Sequence, residues 1–381
     1  MNRARRVALG ALLGGGVVAG CGTRRIAAER PADLQPNKAR LNLRVLWQGR
    51  VAAAAREVFT PAFEDGQVYA IGGDGAVSAH AVSDGRLLWR QPSGIKRASA
   101  GIGAGDGRVA AGGLDGEIAV LTREGKPAWQ ASISSEVLAA PVIDAGLVIA
   151  RTTDGRIFGL EADSGRRRWV YQRPASPSLA LRSHAALTVV RGAVFAGFPN
   201  GRLVGLDART GAVGIDVAVA LPRGATELER VVEVASAPAF EGSQVCAVAF
   251  QGRVACFDAK RGSLDWGRDI SSSVGLDMDA RAVYVVDDVG AVHALDRAGG
   301  ASLWRQAALR LRSVGAPRRI GSVLVVGDYQ GQVHLIDIED GSFAGRIATD
   351  GTAIVTAALP VPGGFIVQTR GGGVYAIGLA A

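Results

Sequence analysis

Few side chains in this sequence have the type and spacing that catalysis or ligand capture requires. The four histidines do not cluster: His80 falls in an outer strand and His184 in a predicted loop, while His293 and His334 each follow a turn glycine by three residues in successive repeats. A metal ion needs ligands converging at about 2 Å, which equivalent positions one repeat apart do not offer, so each histidine reads as structural. The Gly-x-Ser-x-Gly elbow, the phosphate-cradling Walker loop and the His-Glu-x-x-His zinc pattern are missing. The recurrent acids Asp74, Asp154 and Asp340 stand beside turn glycines, where a short carboxylate serves turn geometry rather than proton transfer. The sequence therefore assigns no catalytic, cofactor-binding or metal-binding residue, and the expectation is a binding protein rather than an enzyme.

Cysteine offers the more specific signals. Arg3, Arg5 and Arg6 precede an apolar run from Val7 to Val18, followed by Ala19-Gly20-Cys21. A charged start, a short apolar stretch and small residues before a cleavage point make a secretory signal. The run is shorter than the roughly 20 residues of a spanning helix. Val18-Ala19-Gly20-Cys21 resembles the bacterial lipobox, which makes Cys21 the lipidation site and residues 1–20 the signal peptide. An incidental cysteine after an ordinary signal is the other reading. Gly22, where an Asp would favour the inner membrane, favours the outer one. Residues 21–40 then read as the acylated cysteine and a flexible tether. Cys246 and Cys256 lie five residues either side of Gln251, opposite each other on a predicted hairpin. A disulfide, which suits an oxidising compartment, and two buried thiols both fit.

The elements that carry these residues emerge from an internal repeat. A turn glycine is followed by an apolar residue two further on, a second glycine about ten residues later, then Trp four later, as in Gly75, Val77, Gly85 and Trp89. Further copies start at Gly116, Gly155, Gly201, Gly252, Gly290 and Gly331, and a truncated eighth runs from Gly372 to Ile377. The Trp slot holds Ile215 in the fourth copy and Gly345 in the seventh. Each copy contains four short runs separated by Asp-Gly or Asn-Gly pairs, which supply the positive φ of tight hairpins. A four-stranded sheet of about 40 residues cannot bury both faces alone, whereas radial stacking buries them. The expected fold is all-β, a single eight-bladed β-propeller over residues 41–381. The eighth copy stops after three strands, and Leu43-Arg44-Val45-Leu46-Trp47 lies unused at the start, with Trp47 42 residues before Trp89 and in phase. Residues 42–49 are expected to close the ring, and the Trp residues to pack between blades.

Composition agrees with a turn-rich soluble body. There are 53 glycines without a collagen period, 48% hydrophobic and 20% charged residues. The net charge of +8 comes partly from the signal, and its longest run, Arg166-Arg167-Arg168, sits in a predicted turn. No basic stripe interleaved with aromatics is present, so nucleic acid is not an expected partner.

Two connections stretch the repeat. Residues 174–183, before the fourth blade, hold Leu179, Leu181 and Arg182; residues 221–237, after it, hold Glu233. Apolar anchors beside an Arg suit an interface, although the leucines also fit the start of blade four's innermost strand.

The Ala-Leu-Asp-x-x-x-Gly-x-x-x-Trp units resemble the repeats of quinoprotein dehydrogenases. A propeller of this kind with a lipobox and no further domain resembles the BamB family of barrel-assembly lipoproteins. That resemblance implies a non-catalytic scaffold of the outer-membrane β-barrel assembly (BAM) complex, lipid-anchored in the outer membrane and facing the periplasm. It implies docking on a POTRA domain of BamA and assistance to the folding and insertion of barrel proteins; surface offered to nascent outer-membrane proteins is an expectation from the fold alone. Leu179, Leu181 and Arg182 match the family's Leu-x-Leu-Arg stretch, and Glu233 its first acidic position. Ala235 stands where a second acid is common. The competing readings are a quinone-dependent periplasmic dehydrogenase and a propeller scaffold of another envelope complex. The dehydrogenases carry adjacent cysteines and calcium ligands, neither of which is assembled here.

Overall fold

Short apolar runs between Gly turns fold into eight four-stranded antiparallel sheets in the computed structural model, which describes residues 29–36, 40–173 and 181–380. The signal segment, Cys21 and Leu179 lie outside the described residues. Blade one comprises Ala62–Glu64, Gln67–Ile71, Ala76–Ala81 and Leu87–Pro92. Its second and third strands are buried, while its outermost strand is largely exposed. The later blades repeat this plan. Blade two runs from Gly103–Gly105 to Pro127–Ser132, blade three from Val142–Asp144 to Arg167–Gln172, blade four from Thr188–Val190 to Val213–Ala218, and blade five from Ala239–Glu241 to Leu264–Arg268. Blade six spans Gly275–Met278 to Ser302–Gln306, blade seven Arg318–Ile320 to Phe343–Ala348, and blade eight holds Leu359–Val361, Gly364–Gln368 and Gly373–Ala380.

The core lies between blades rather than within them. Tyr69, Ile71 and Val77 of blade one pack with Val109, Ala111 and Leu121 of blade two. Blades seven and eight meet in the same way through Val325, Val333, Phe365 and Val367. Closure follows from chain order. Asn42–Arg50 pairs antiparallel with Gly373–Ala380, putting Leu43 opposite Leu379 and Gly49 opposite Val374. The first described strand therefore completes the last blade.

The Gly and Trp of the repeat are two halves of one latch. Each Trp stands on an outermost strand and reaches the next blade, where its indole N–H donates to a turn carbonyl. Trp47 bonds Val82 O at 2.8 Å, Trp129 bonds Ala162 O at 2.7 Å and Trp169 bonds Ala208 O at 3.0 Å. The ring covers that turn's glycine. Gly211 has φ +72°, and a Cβ there would meet Trp169 ring atoms at 2.7 Å. A register shift beside the Trp slot recurs in the outer strand pairs, as between Gly159 and Leu160; such a bulge re-aims the side chain.

The two slots without Trp have separate explanations. Ile215 reaches toward Gly262, with its methyl 3.5 Å from a Cβ built there. Blade seven faces the closing strand, which enters from the chain start and has no glycine turn to cover. Leu41 O and Leu43 lie against Gly345 instead, and Arg40 and Leu41 N–H both donate to Ala344 O.

Part of the segment expected as a tether is bound to the propeller. Ala32 N–H donates to Arg310 O at 2.9 Å, and Arg312 returns a guanidinium bond to Ala32 O at 3.0 Å. Arg346 donates to Gln35 O at 3.0 Å, and Leu34 packs on the core between blades six and seven. Among the described residues no helix is long and apolar enough to cross a membrane.

Candidate partner-docking site

Because strands alternate in direction, the connections between blades share one side of the ring with the turns joining second and third strands. The two stretched connections therefore meet beside blade four. Glu233 is wedged there between neighbouring turns, with isolated antiparallel bridges to Pro199 and Phe250. Phe250 N–H donates to Glu233 O at 2.8 Å, and the residue is only 2% exposed. Its carboxylate faces the preceding connection. One oxygen accepts the N–H of Leu181 at 2.8 Å, and the other accepts the Ser183 hydroxyl at 2.9 Å.

Glu233 thus holds the Leu181–Ser183 loop from beneath instead of presenting a charge to a partner. Arg151 shares its surroundings. The guanidinium lies over Phe198 at 5.0 Å and donates to Ala185 O at 3.3 Å. Burial draws the Arg151 pKa down to about 10, with the Glu233 charge opposing the shift. Above this layer Leu181 is half-buried and Arg182 is exposed. The Arg182 guanidinium stands 3.5 Å from Glu136, which comes from the connection between blades two and three. Glu136, Arg151, Leu181, Arg182 and Glu233 line a cleft of about 460 Å³.

The sequence expectation placed Leu181, Arg182 and Glu233 together, and the structure does bring them together. The loop leucine does not begin an inner strand, since that strand is Thr188–Val190. Ala235, where the resemblance implied that a second acid is common, is a buried, packed methyl. Sequence reading missed Glu136, Arg151 and Ser183. It also missed the helical turn 227–230, although Thr226-x-x-Glu229 is a capping pattern. Glu229 N–H donates to the Thr226 hydroxyl, and the Glu229 carboxylate accepts from Ala225 and Thr226 N–H. That turn carries Leu228, 72% exposed.

The residues first weighed for chemistry are dispersed. His80 stacks on Trp47 with centroids 5.9 Å apart. His293 pairs with Asp287 at 2.9 Å, and His334 with Asp328 at 3.1 Å, each inside its own blade. His184 sits near Arg182 and Arg370; burial lowers its pKa and those cations lower it further. No group of three metal-ligating side chains occurs among the described residues. Cys246 and Cys256 face each other across blade five, Cα atoms 4.1 Å apart, and are joined as a disulfide in the buried core.

The site thus sits on a closed eight-bladed propeller of the β class, whose long connections frame a surface cleft. The chain belongs to the family described as outer membrane protein assembly factor BamB, whose model matches residues 73–306 and 289–378. It is 41% identical over 335 residues to the protein of that name from Nitrosomonas eutropha, covering 88% of this chain and 81% of the relative. The one from Burkholderia pseudomallei is 38% identical over 360 residues, covering 94% of each. Among solved structures, BamB from Moraxella catarrhalis superposes with a TM-score of 0.77 at 25% identity, covering 88% of this chain and 98% of that one.

Proposed function

We propose that this chain is a non-catalytic scaffold of the outer-membrane β-barrel assembly machinery, held at the membrane by acylated Cys21 and facing the periplasm. It docks on a POTRA domain of BamA through Leu181 and Arg182, with Leu179 beside them in the same connection. Membership of the BamB family supports the assembly role. The docking surface is supported by one observation above all: a buried carboxylate, Glu233, holds the backbone of a half-buried leucine, Leu181, that precedes the exposed Arg182. Hot spots of this kind need their anchors held in place before binding. Nascent outer-membrane proteins are the further partners that such a scaffold would serve.

Arg182→Glu tests the docking surface. Co-purification of BamA with the tagged protein from envelopes should be lost while the melting temperature stays within a degree or two, because an exposed charge supports little of the fold. Retained co-purification would move the surface elsewhere on the ring. Labelling with a fatty-acid analogue tests the anchor, and undiminished label in Cys21→Ala would overturn it.

A further inference from the structure

Arg182 is not an idle cation awaiting a partner. Its guanidinium lies 3.5 Å from the Glu136 carboxylate, with the two side chains 49% and 38% exposed. Glu136 is itself placed by the fold. Its carbonyl accepts the Thr153 N–H at 3.0 Å, tying it to the blade-three turn, and the next residue, Val137, is fully buried. Opposite it, Glu233 ties the Leu181–Ser183 loop. Two anchored segments from different connections thus present opposite charges across the mouth of one cleft.

We infer that Glu136 is an internal competitor for Arg182, and that the partner reaches this arginine with a carboxylate that displaces it. This rests on the docking reading above. A neutral or basic partner group at this spot would leave the Glu136–Arg182 pair intact and gain nothing from the arginine. An acidic group must instead exchange one ion pair for another, giving up the Glu136–Arg182 pair to form its own. Glu136 therefore weakens docking and selects against acidic surfaces that fit poorly, a recognised route to specificity. Exposed pairs contribute modestly, so the competition tunes affinity without blocking it.

Binding of the purified POTRA region of BamA to the propeller, with Glu136→Gln, Arg182→Gln and the double variant, is the test. Glu136→Gln should tighten binding by about 1.5- to 5-fold, the range an exposed ion pair commands. Arg182→Gln should weaken it, and adding Glu136→Gln to Arg182→Gln should change nothing further. Unchanged or weaker binding by Glu136→Gln, while Arg182→Gln still weakens it, overturns the competition and leaves the docking reading standing. Tightening that persists in the double variant overturns it too, since the effect is then one of general charge. If Arg182→Gln binds like the parent, the docking reading itself fails and the inference with it. Melting temperatures of all three confirm that each compares folded rings.

Discussion

The carboxylate of Glu233 and the backbone N–H of Leu181 meet at 2.8 Å, joining the connection after blade four to the connection before it. Hydrogen bonds to a charged acceptor contribute about 1.5–3 kcal/mol. Glu233→Ala should lower stability by about 2 kcal/mol in urea titration and speed amide exchange at Leu181. Glu233→Gln, which keeps one acceptor oxygen, should lose less. Unchanged exchange at Leu181 in the alanine variant would mean that the loop is held by other contacts.

The indole latches give the largest single-residue effect expected in the ring. Trp169→Ala removes a buried ring, its bond to Ala208 O and the cover over Gly211. Truncating a buried Trp costs about 3–5 kcal/mol, and urea unfolding should show it. Leu87→Ala, at a side chain that is 52% exposed, should move stability by no more than about 0.5 kcal/mol.

Truncation separates residues 31–36, a strap bound to the propeller through Ala32, Leu34 and Gln35, from the segment before it. A chain beginning at residue 30 keeps Ala32, Leu34 and Gln35 on the propeller and should melt like the full-length mature protein. One beginning at residue 39 loses three backbone-directed hydrogen bonds and the Leu34 contact. At about 0.5–1.5 kcal/mol for each bond, its melting temperature should fall by several degrees. Equal melting of the two would show that residues 31–36 add no stability.

Acid should destabilise the ring, and blade seven supplies one reason. Burial lowers the pKa of His334 despite its bond to Asp328. Burial opposes ionisation of Asp328, yet bonds from His334, Gln332 N–H and Arg312 outweigh it and hold the carboxyl below its ordinary value. For His334 the unfolded chain takes up its proton first, so stability is full above about pH 6.5 and declines below it. For Asp328 it is retained above the ordinary carboxylate value and lost as pH falls through the lowered one. Both losses have the same sign. Urea midpoints should fall from pH 7.5 to 5, with a shallower slope in His334→Gln; a midpoint that rises on acidification would contradict the assignment.

How far the sequence could be read depended on the range of the interactions involved. The blades, the closing strand and the Trp contacts recur with a period, so each copy reinforced the others. The role of Glu233 was not legible, because an acid in a long connection looks the same whether it faces solvent or a backbone 52 residues away. The strap was hidden for a related reason. It has no apolar period, and its partners Arg312 and Arg346 lie 280 and 311 residues further along the chain. Glu136 carries no pattern of its own; only the ring's curvature brings it opposite Arg182.

The strap also decides how the molecule bears load. Tension applied at Pro31 meets the Arg310, Arg312 and Arg346 contacts before it reaches the Asn42–Ala380 pair at the end of the closing ladder. The Arg40 and Leu41 bonds to Ala344 O come next along the same path, so a pull on the amino-terminal side is borne by blades six and seven before it is borne by the seam.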